Sequence, residues 1–231
     1  MYRYEQHCPA ARAIEVLTET WTLLIVRELL HGGERRAELA QGLPKLSRSL
    51  LGDRLRTLER LGVVTSRAGA DGEKRYRLTE AGHELAPIVA QLGRWGQRWL
   101  DSPRVGDLDP ELLMFDICRE IDPGRLPAQP LTVEFDFVDA SAARRWWLVL
   151  SQFGATARRA QPGTAISVRV TCTLGALTGV WLGHTSWLAA VRDRTVMLAG
   201  EPGAVRSMID SVGTSRYART PKPSDGSTSA L

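Results

Sequence analysis

One short region of the sequence is rich in lysine and arginine, which are the side chains that bind a polyanion. Residues 36–77 contain 10 Lys and Arg against 5 Asp and Glu. The first 100 residues carry 16 basic against 12 acidic side chains, whereas residues 101–231 carry 14 of each. A concentrated positive charge attracts phosphates, although a solvated surface would show the same composition.

Two helices joined by a tight turn are predicted within this basic region. A short helix is expected over residues 36–41, a break at 42–44, and a longer helix after Ser47. The longer helix has one leucine face, formed by Leu51, Leu55 and Leu58. This pattern is typical of a helix-turn-helix, with Ser47 as the N-cap of the recognition helix.

The N-terminal end of the recognition helix is the part that enters a major groove. Its predicted DNA contacts are Ser47, Arg48, Ser49, Gly52, Asp53 and Arg56. Arginine can pair with guanine through two hydrogen bonds, and serine can reach either kind of base. The carboxylate of Asp53 would be repelled by phosphates unless it accepts from a cytosine or pairs with Arg56 or Arg60.

A basic β-hairpin is predicted after the helix-turn-helix. Residues 63–67 and 74–78 read as two strands joined by a turn that contains Gly and Asp. The predicted phosphate or minor-groove contacts are Arg67, Lys74, Arg75 and Arg77. Such a hairpin is typical of the wing in a winged helix.

The next helix is predicted to begin at Thr79 and to run to Leu100. Its apolar stripe is formed by Leu85, Ile88, Val89, Leu92, Trp95 and Trp99. A small domain cannot cover so much apolar surface alone. Pairing with the same helix of a second copy would cover it and would space two recognition helices along one duplex.

Residues 8 to about 100 resemble an HxlR-type winged-helix transcriptional regulator, a branch close to the MarR group. The motifs that carry the resemblance are "CP" at residues 8–9, "TWTLLIVRELLHG", "AELAQGLPKLSRSLLGDRLRTLERLGVV" and "RYRLTEAGHEL". The chain departs from the family pattern at Gly52, where a larger residue is usual, and in its short wing. The resemblance implies a homodimer that binds a pseudo-palindromic site in double-stranded DNA.

Cys8 is the predicted N-cap of the first helix, with Pro9 at the first helical position. A helix N-terminus lowers the pKa of a thiol, which would suit a redox or electrophile sensor, as in some regulators of the resembled type. The alternative is a structural thiol. Cys8, Cys118 and Cys172 are widely spaced and odd in number, which favours free thiols over disulfides or a metal site.

The second half is predicted to be a separate α+β domain. A polar segment over residues 101–109 precedes a helix with Asp109 as N-cap. The period then changes to two along "LTVEFDFVD", "WWLVL" and "AISVRVTCTL", which predicts one sheet covered by helices. On this pattern Trp146 and Trp147 point to opposite faces, and the carboxylates of Glu134 and Asp136 face outward into solvent.

The second half also resembles the sterol carrier protein type 2-like fold. The motifs are "FDFVDASAARRWWLVL", "LTGVWLGHTSWLAAVRDRTVMLAGEP" and "AVRSMIDSVG". The resemblance implies an apolar cavity for a hydrophobic molecule, although a solid core of well-packed aromatics is the alternative. The predicted cavity residues are Phe135, Phe137, Trp146, Leu148, Val168, Val170, Leu177, Trp181 and Leu188.

The sequence therefore predicts an α+β protein with three regions. Residues 1–100 form a winged helix-turn-helix DNA-binding and dimerisation domain, residues 101–213 a sterol-carrier-like ligand-binding or dimer-supporting domain, and residues 214–231 a disordered tail. No apolar run approaches the roughly 20 residues of a membrane span and the N-terminus lacks a signal-peptide layout, which predicts a cytoplasmic protein without a membrane partner.

The predicted function is sequence-specific regulation of transcription by a homodimer, whose second domain either holds a small hydrophobic effector or stiffens the dimer. The alternative is a protein-interaction or lipid-binding module whose helix-turn-helix no longer reads DNA. An enzyme is not predicted, because the four histidines have no metal-binding spacing and the chain lacks a GxSxG motif and a phosphate loop. No cofactor and no metal are expected.

Overall fold

The computed structural model describes residues 4–140 and 143–221. The chain divides into two compact units between Gly93 and Arg94. The division falls inside the helix that the sequence predicts as the last element of the first domain. Among the described residues, no helix is both long enough and apolar enough to span a bilayer.

The first unit is a helix-turn-helix followed by a two-stranded hairpin. Its elements are α1 (Pro9–Leu17), α2 (Thr22–Leu30), α3 (Arg36–Gln41), α4 (Arg48–Arg60), β1 (Val64–Ala68), β2 (Lys74–Leu78) and α5 (Glu80–His83). Helix α6 (Ala86–Trp99) crosses the division between the units. The predicted helix-turn-helix and hairpin are confirmed, but the helix predicted from Thr79 to Leu100 is two helices, α5 and α6.

The core of the first unit joins α2, α3, α4 and the hairpin. Its fully buried members include Ile25, Leu39, Leu55, Leu58 and Tyr76. The leucines of α4 recur every three or four residues, so their burial fixes which side of that helix faces outward. The hairpin pairs Val64 with Leu78 and Ala68 with Lys74 in antiparallel register.

The second unit is one five-stranded sheet with helices packed on one face. Its elements are a 3₁₀ turn at residues 105–107, α7 (Pro110–Glu120), a 3₁₀ turn (Pro123–Arg125), β3 (Leu131–Phe137), β4 (Arg145–Ser151), β5 (Gly154–Arg158), β6 (Val168–Cys172), α8 (Leu174–Trp181), α9 (Trp187–Arg192), β7 (Val196–Gly200) and α10 (Pro202–Val212). The strand order is β5-β4-β3-β6-β7, and only the β3–β6 pair among these neighbours is parallel. The predicted sheet-plus-helix architecture is confirmed, although the sequence patterns missed β5.

Both faces of β3 are buried, which corrects one prediction. Alternation places Val133 and Phe135 toward the helices, as expected. The carboxylate of Glu134, expected in solvent, belongs to a residue that is only 3% exposed. It accepts hydrogen bonds from Nε and Nη2 of Arg169 at 3.0 and 2.9 Å, so a cross-strand ion pair replaces its hydration.

The two adjacent tryptophans lie on opposite faces of the sheet, as predicted. Trp146 belongs to the core beneath the helices and is 4% exposed. Trp147 lies on the other face beside Glu134 and Arg158 in the strand register, and it is 7% exposed. That second face is therefore a polar surface on which Trp147 and Glu134 are shielded from solvent.

The prediction places the start of the disordered tail too early in the chain. The backbone N–H of Ser215 donates to the carbonyl of Trp181 at 2.8 Å, and that of Arg216 donates to the Glu120 carboxylate at 2.9 Å. Residues 214–221 therefore continue the second unit after α10, and the prediction is wrong for them. The rest of the predicted tail, residues 222–231, lies outside the described residues.

Candidate nucleic-acid interface

Helix α4 begins where its sequence predicts. The Ser47 hydroxyl accepts a hydrogen bond from the backbone N–H of Leu50 at 3.2 Å, which satisfies one of the free donors of the first turn. Arg48 and Ser49 follow directly and are exposed. The start of the helix is thus both capped and open to a ligand.

A buried glutamate holds the turn that precedes α4. Glu28 of α2 is 3% exposed and accepts a hydrogen bond from Nε of Arg27 at 2.8 Å. Nη2 of Arg27 also lies 3.4 Å from the carbonyl oxygen of Gly42. A methyl group on Gly42 would collide with the Glu28 carboxylate, so a larger residue in this turn would require that carboxylate to move.

The carboxylate of Asp53 pairs with a guanidinium of its own helix. Asp53 and Arg56 lie three positions apart, and Nη2 of Arg56 donates to Asp53 Oδ1. Of the partners considered from the sequence, Arg56 is the one that the structure brings to Asp53. Both side chains are more than half exposed, so a ligand can still reach them.

An ionic network ties the wing to the segment before α3. Asp71 in the hairpin turn contacts Arg35 at 3.0 Å and Arg75 at 3.1 Å. Glu34 accepts from Nε of Arg77 at 2.7 Å. Two of the four predicted wing cations, Arg75 and Arg77, are therefore held by carboxylates.

The other two wing cations are open. Arg67 and Lys74 are exposed and have no ion pair within the described part of the chain. The carboxyl group of Asp71 has a pKa below its usual range, chiefly because the backbone N–H of Glu73 donates to it, with Arg75 and Arg35 adding to the effect. Asp71 is thus an ionised partner for both arginines, and these contacts join the hairpin turn to the segment before α3.

Sequence reasoning missed Arg36 as a residue of this surface. Its Nε donates to the hydroxyl of Tyr76 at 3.1 Å, and its guanidinium lies 5.7 Å from the centre of that ring. Tyr76 comes from β2, forty positions along the chain. Because this contact joins distant residues, no local pattern around Arg36 could have identified it.

Helix α6 presents an apolar stripe to solvent. Its side chains are 44 to 56% exposed at Ile88, Leu92, Trp95 and Trp99. The spacing of four, three and four residues puts them on one side of the helix. This is the stripe that the sequence predicts for pairing with a second copy.

Cys8 is the N-cap residue of α1 and is exposed, with Pro9 in the first turn as predicted. The backbone N–H groups of Ala11 and Ala10 lower the pKa of its thiol. Burial has the opposite effect on the other two cysteines and raises the pKa of Cys118 and of Cys172 to about 12. Within the described residues, no group of three His, Cys, Asp or Glu side chains could hold a metal ion.

The residues predicted to line an apolar cavity lie mainly in one packed core. Its members among them are Phe135, Phe137, Trp146, Leu148, Val168, Val170, Leu177 and Trp181. Leu188 is a correction, since it is 81% exposed. Trp187 and Ala190 are the buried residues of α9, and Leu188 follows Trp187 by one residue, about 100° around the helix.

Cavities of the second unit are lined by other residues. One of 590 Å³ has Val138, Gly179 and Met197 in its wall, and one of 290 Å³ lies against Arg125, Arg216 and Arg219. Neither of these two includes any of the nine predicted cavity residues.

The fold and surface of the first unit define a winged helix-turn-helix protein. The HxlR-like helix-turn-helix family model matches residues 16–104. The uncharacterized HTH-type transcriptional regulator YvaP of Bacillus subtilis is 38% identical over 97 residues, which is 41% of this chain and 90% of that relative. The chain therefore belongs to the HxlR-like helix-turn-helix family.

Other similar proteins match a similar fraction of the chain. The uncharacterized HTH-type transcriptional regulator MT3179 of Mycobacterium tuberculosis is 40% identical over 94 residues, covering 40% of this chain and 59% of the relative. The reduced form of the transcriptional regulator YodB from B. subtilis is 25% identical, with a TM-score of 0.38, and the match covers 43% of this chain and 100% of that chain. The curated relatives are thus HTH-type transcriptional regulators.

Proposed function

We propose that this protein is a homodimeric, sequence-specific DNA-binding regulator of transcription. The observation that carries the proposal is the division of α4 into two sides. Leu51, Leu55 and Leu58 are buried, whereas Arg48 and Arg56 are exposed. A helix anchored by one side and cationic on the other has the form that enters a major groove.

The direct test is salt-dependent binding to DNA. A random-sequence duplex pool is enriched on the purified full chain, and the affinity for the selected duplex is measured by fluorescence anisotropy at several salt concentrations. We expect Arg48→Ala to relax base preference at one position, because a bidentate arginine contributes about 1–3 kcal/mol of discrimination. We expect Lys74→Ala, which removes an exposed wing cation without an ion pair in the described part of the chain, to weaken binding to all sequences and to flatten the salt slope by about one.

The matched control is Arg206→Ala, which removes an exposed arginine from α10 in the second unit and should leave DNA binding unchanged. If wild-type protein shows no salt-sensitive binding to any duplex, the proposal fails. The chain is then better described as a protein-interaction or lipid-binding module.

The proposed homodimer rests on the stripe of α6. Apolar side chains at Leu92 and Trp95 that remain about half exposed favour burial against an apolar partner, and the same helix of a second copy offers one. Native mass spectrometry should give twice the chain mass of 25.5 kDa. Leu92→Glu should shift the mass to a single chain, and Gln91→Glu, on an exposed neighbouring position, should not. A wild-type monomer at micromolar concentration would contradict the dimer.

Effector control is a proposal about the second unit, together with its sterol-carrier-like character. The cavity that includes Val138 and Met197 supports it, since both side chains are about half exposed apolar groups. Native mass spectrometry of the purified protein tests for a co-purified hydrophobic molecule. An effector must also change DNA affinity, because only a ligand that distinguishes the two states can regulate.

A further inference from the structure

Gly52 occupies an unusual place on α4. It lies on the flank between the leucine side and the exposed side of the helix, and it is buried. A methyl group on Gly52 would lie 3.6 Å from Nη1 of Arg56 and 3.9 Å from Nη1 and Nη2 of Arg36. Two guanidinium groups therefore cover the glycine on the outward side of the recognition helix.

Arg36 is held in this position by the wing. Its Nε donates to the Tyr76 hydroxyl, and Tyr76 is only 1% exposed. The backbone N–H of Tyr76 in turn donates to the carbonyl of Glu34 at 2.8 Å. The guanidinium is thus fixed by the start of α3 and by β2, while its terminal nitrogens lie beside α4.

The charges around Gly52 do not cancel. Arg56 is paired with Asp53 through Nη2, and its Nη1 lies toward Gly52. Arg36 has no ion pair among the residues that the structure describes. Two cations and one carboxylate leave a net positive notch with free N–H donors, which is the chemistry that binds an oxyanion.

We infer that Arg36, Arg56 and Gly52 form a clamp for one phosphate of the DNA backbone. The inference rests on the proposed DNA-binding function and adds the contact that sets the depth of α4 in the groove. The first helix of a helix-turn-helix crosses the backbone, which is where α3 carries Arg36. Glycine at position 52 leaves room for the phosphate, since a larger side chain would occupy the space between the guanidiniums.

Loss of a phosphate contact should weaken binding to every DNA sequence equally, because phosphates add affinity without sequence information. The probes are the duplex selected by the wild-type chain and a scrambled duplex of equal length, from about 50 to about 200 mM KCl. Arg36→Ala should weaken binding to both duplexes by the same factor. It should also lower the slope of log affinity against log salt by about 0.9 for each copy of the chain bound. Arg206→Ala should change neither.

Two pairs of variants distinguish a loss of DNA binding caused by loss of the clamp from a loss caused by unfolding. Gly52→Leu should displace the guanidiniums and reproduce the loss, whereas Gly52→Ala should bind nearly as well as wild type because its methyl group makes ordinary contacts. Arg36→Lys should retain the salt slope but not the full affinity, since a charge remains and the Tyr76 hydrogen bond is lost. Thermal unfolding followed by circular dichroism should show that the variants stay folded.

Three results would overturn the clamp. The first is an unchanged salt slope for Arg36→Ala in a background where wild type binds DNA. The second is a loss confined to one base pair, which would make Arg36 a reader of bases. The third is wild-type protein that binds no duplex, and that result alone also removes the proposed function.

Discussion

Two arginine-rich surfaces of this chain differ in what their arginines contact. On the second unit, Arg169 donates twice to Glu134, which is 3% exposed, and Arg144 donates through Nε and Nη2 to Asp136. On the first unit, Arg36 donates to a tyrosine hydroxyl instead. The sheet arginines are thus paired with carboxylates, whereas Arg36 keeps donors available, although its neighbours Arg35, Arg75 and Arg77 are paired with carboxylates as well.

The difference shows that the number of arginines does not identify a polyanion site. A guanidinium that is bound to a buried carboxylate stabilises its own fold, because separating the pair would leave the carboxylate without solvation. A guanidinium held by a neutral partner keeps its net charge and can bind a phosphate. Four substitutions test this contrast.

Removal of Glu134 should have the largest effect on stability. Glu134→Ala leaves an open space and two unpaired arginines, Arg169 and Arg145, on the sheet. Because the two arginines that remain are more than half exposed and stay solvated, the lost ion pairs and the open space should together cost about 1–2 kcal/mol. Urea unfolding of the full chain measures the free energy of unfolding. Unchanged stability, with DNA affinity lost instead, would reverse the contrast between the surfaces.

Removal of a carboxylate from the wing should strengthen DNA binding, whereas removal of Glu134 should weaken the fold. Asp71→Asn keeps the hydrogen bond to the backbone N–H of Glu73 but releases the charges of Arg35 and Arg75. Since both guanidiniums become available to phosphates, we expect DNA affinity to rise by roughly threefold to tenfold and the salt slope to steepen. Glu73→Gln is the matched control. A weaker complex would mean that the network positions the wing rather than restraining its charges.

The stability of the second unit should depend on pH through Asp136. Hydrogen bonding from Arg144 holds the pKa of this carboxyl below its usual range. The charged form therefore adds stability at pH above the unfolded value of about 3.9, and this contribution is lost as pH falls from there toward the folded pKa. Urea unfolding at a series of acidic pH values should show a flatter pH dependence for Asp136→Asn than for wild type. Parallel curves would contradict the assignment.

The smallest expected effect concerns the reactivity of a single thiol. It compares exposed Cys8 with the less exposed Cys118 and Cys172. Since the pKa of Cys8 is lowered and that of Cys118 and of Cys172 is raised to about 12, iodoacetamide at about pH 8 should modify Cys8 first in the folded protein. Mass spectrometry of peptides locates the label. Cys8→Ser should remove the fast phase, and its persistence would show that another thiol is the reactive one.

Local patterns predicted the elements that depend on neighbouring residues. The start of α4 followed from the hydroxyl of Ser47 and from the recurrence of the leucines, both of which act within a few turns of helix. The α7 helix followed in the same way from Asp109 and Pro110. Strand β5, with the sequence GATAR, has a single β-branched residue, Thr156, and no aromatic one, so its pairing with β4 supplies what its composition does not.

These local patterns could not predict contacts between residues that lie far apart in the sequence. The burial of Glu134 depends on the register that sets it beside Arg169, thirty-five positions away. The role assigned to Arg36 depends on Tyr76 in the same way. The error at Leu188 has a simpler cause, since Trp187 and Ala190 are the side chains by which the short helix α9 meets the core, and Leu188 lies about 100° away from Trp187 around the helix.

The contact between Glu28 and Gly42 has a consequence for how this chain tolerates substitution. The carboxylate fills the space that any side chain at position 42 would need. Alanine at 42 therefore requires the Glu28 carboxylate to move or a shorter residue at 28, so the effects of changes at the two positions are not expected to be additive. In descendants of this sequence, the two sites are expected to change together or to stay fixed.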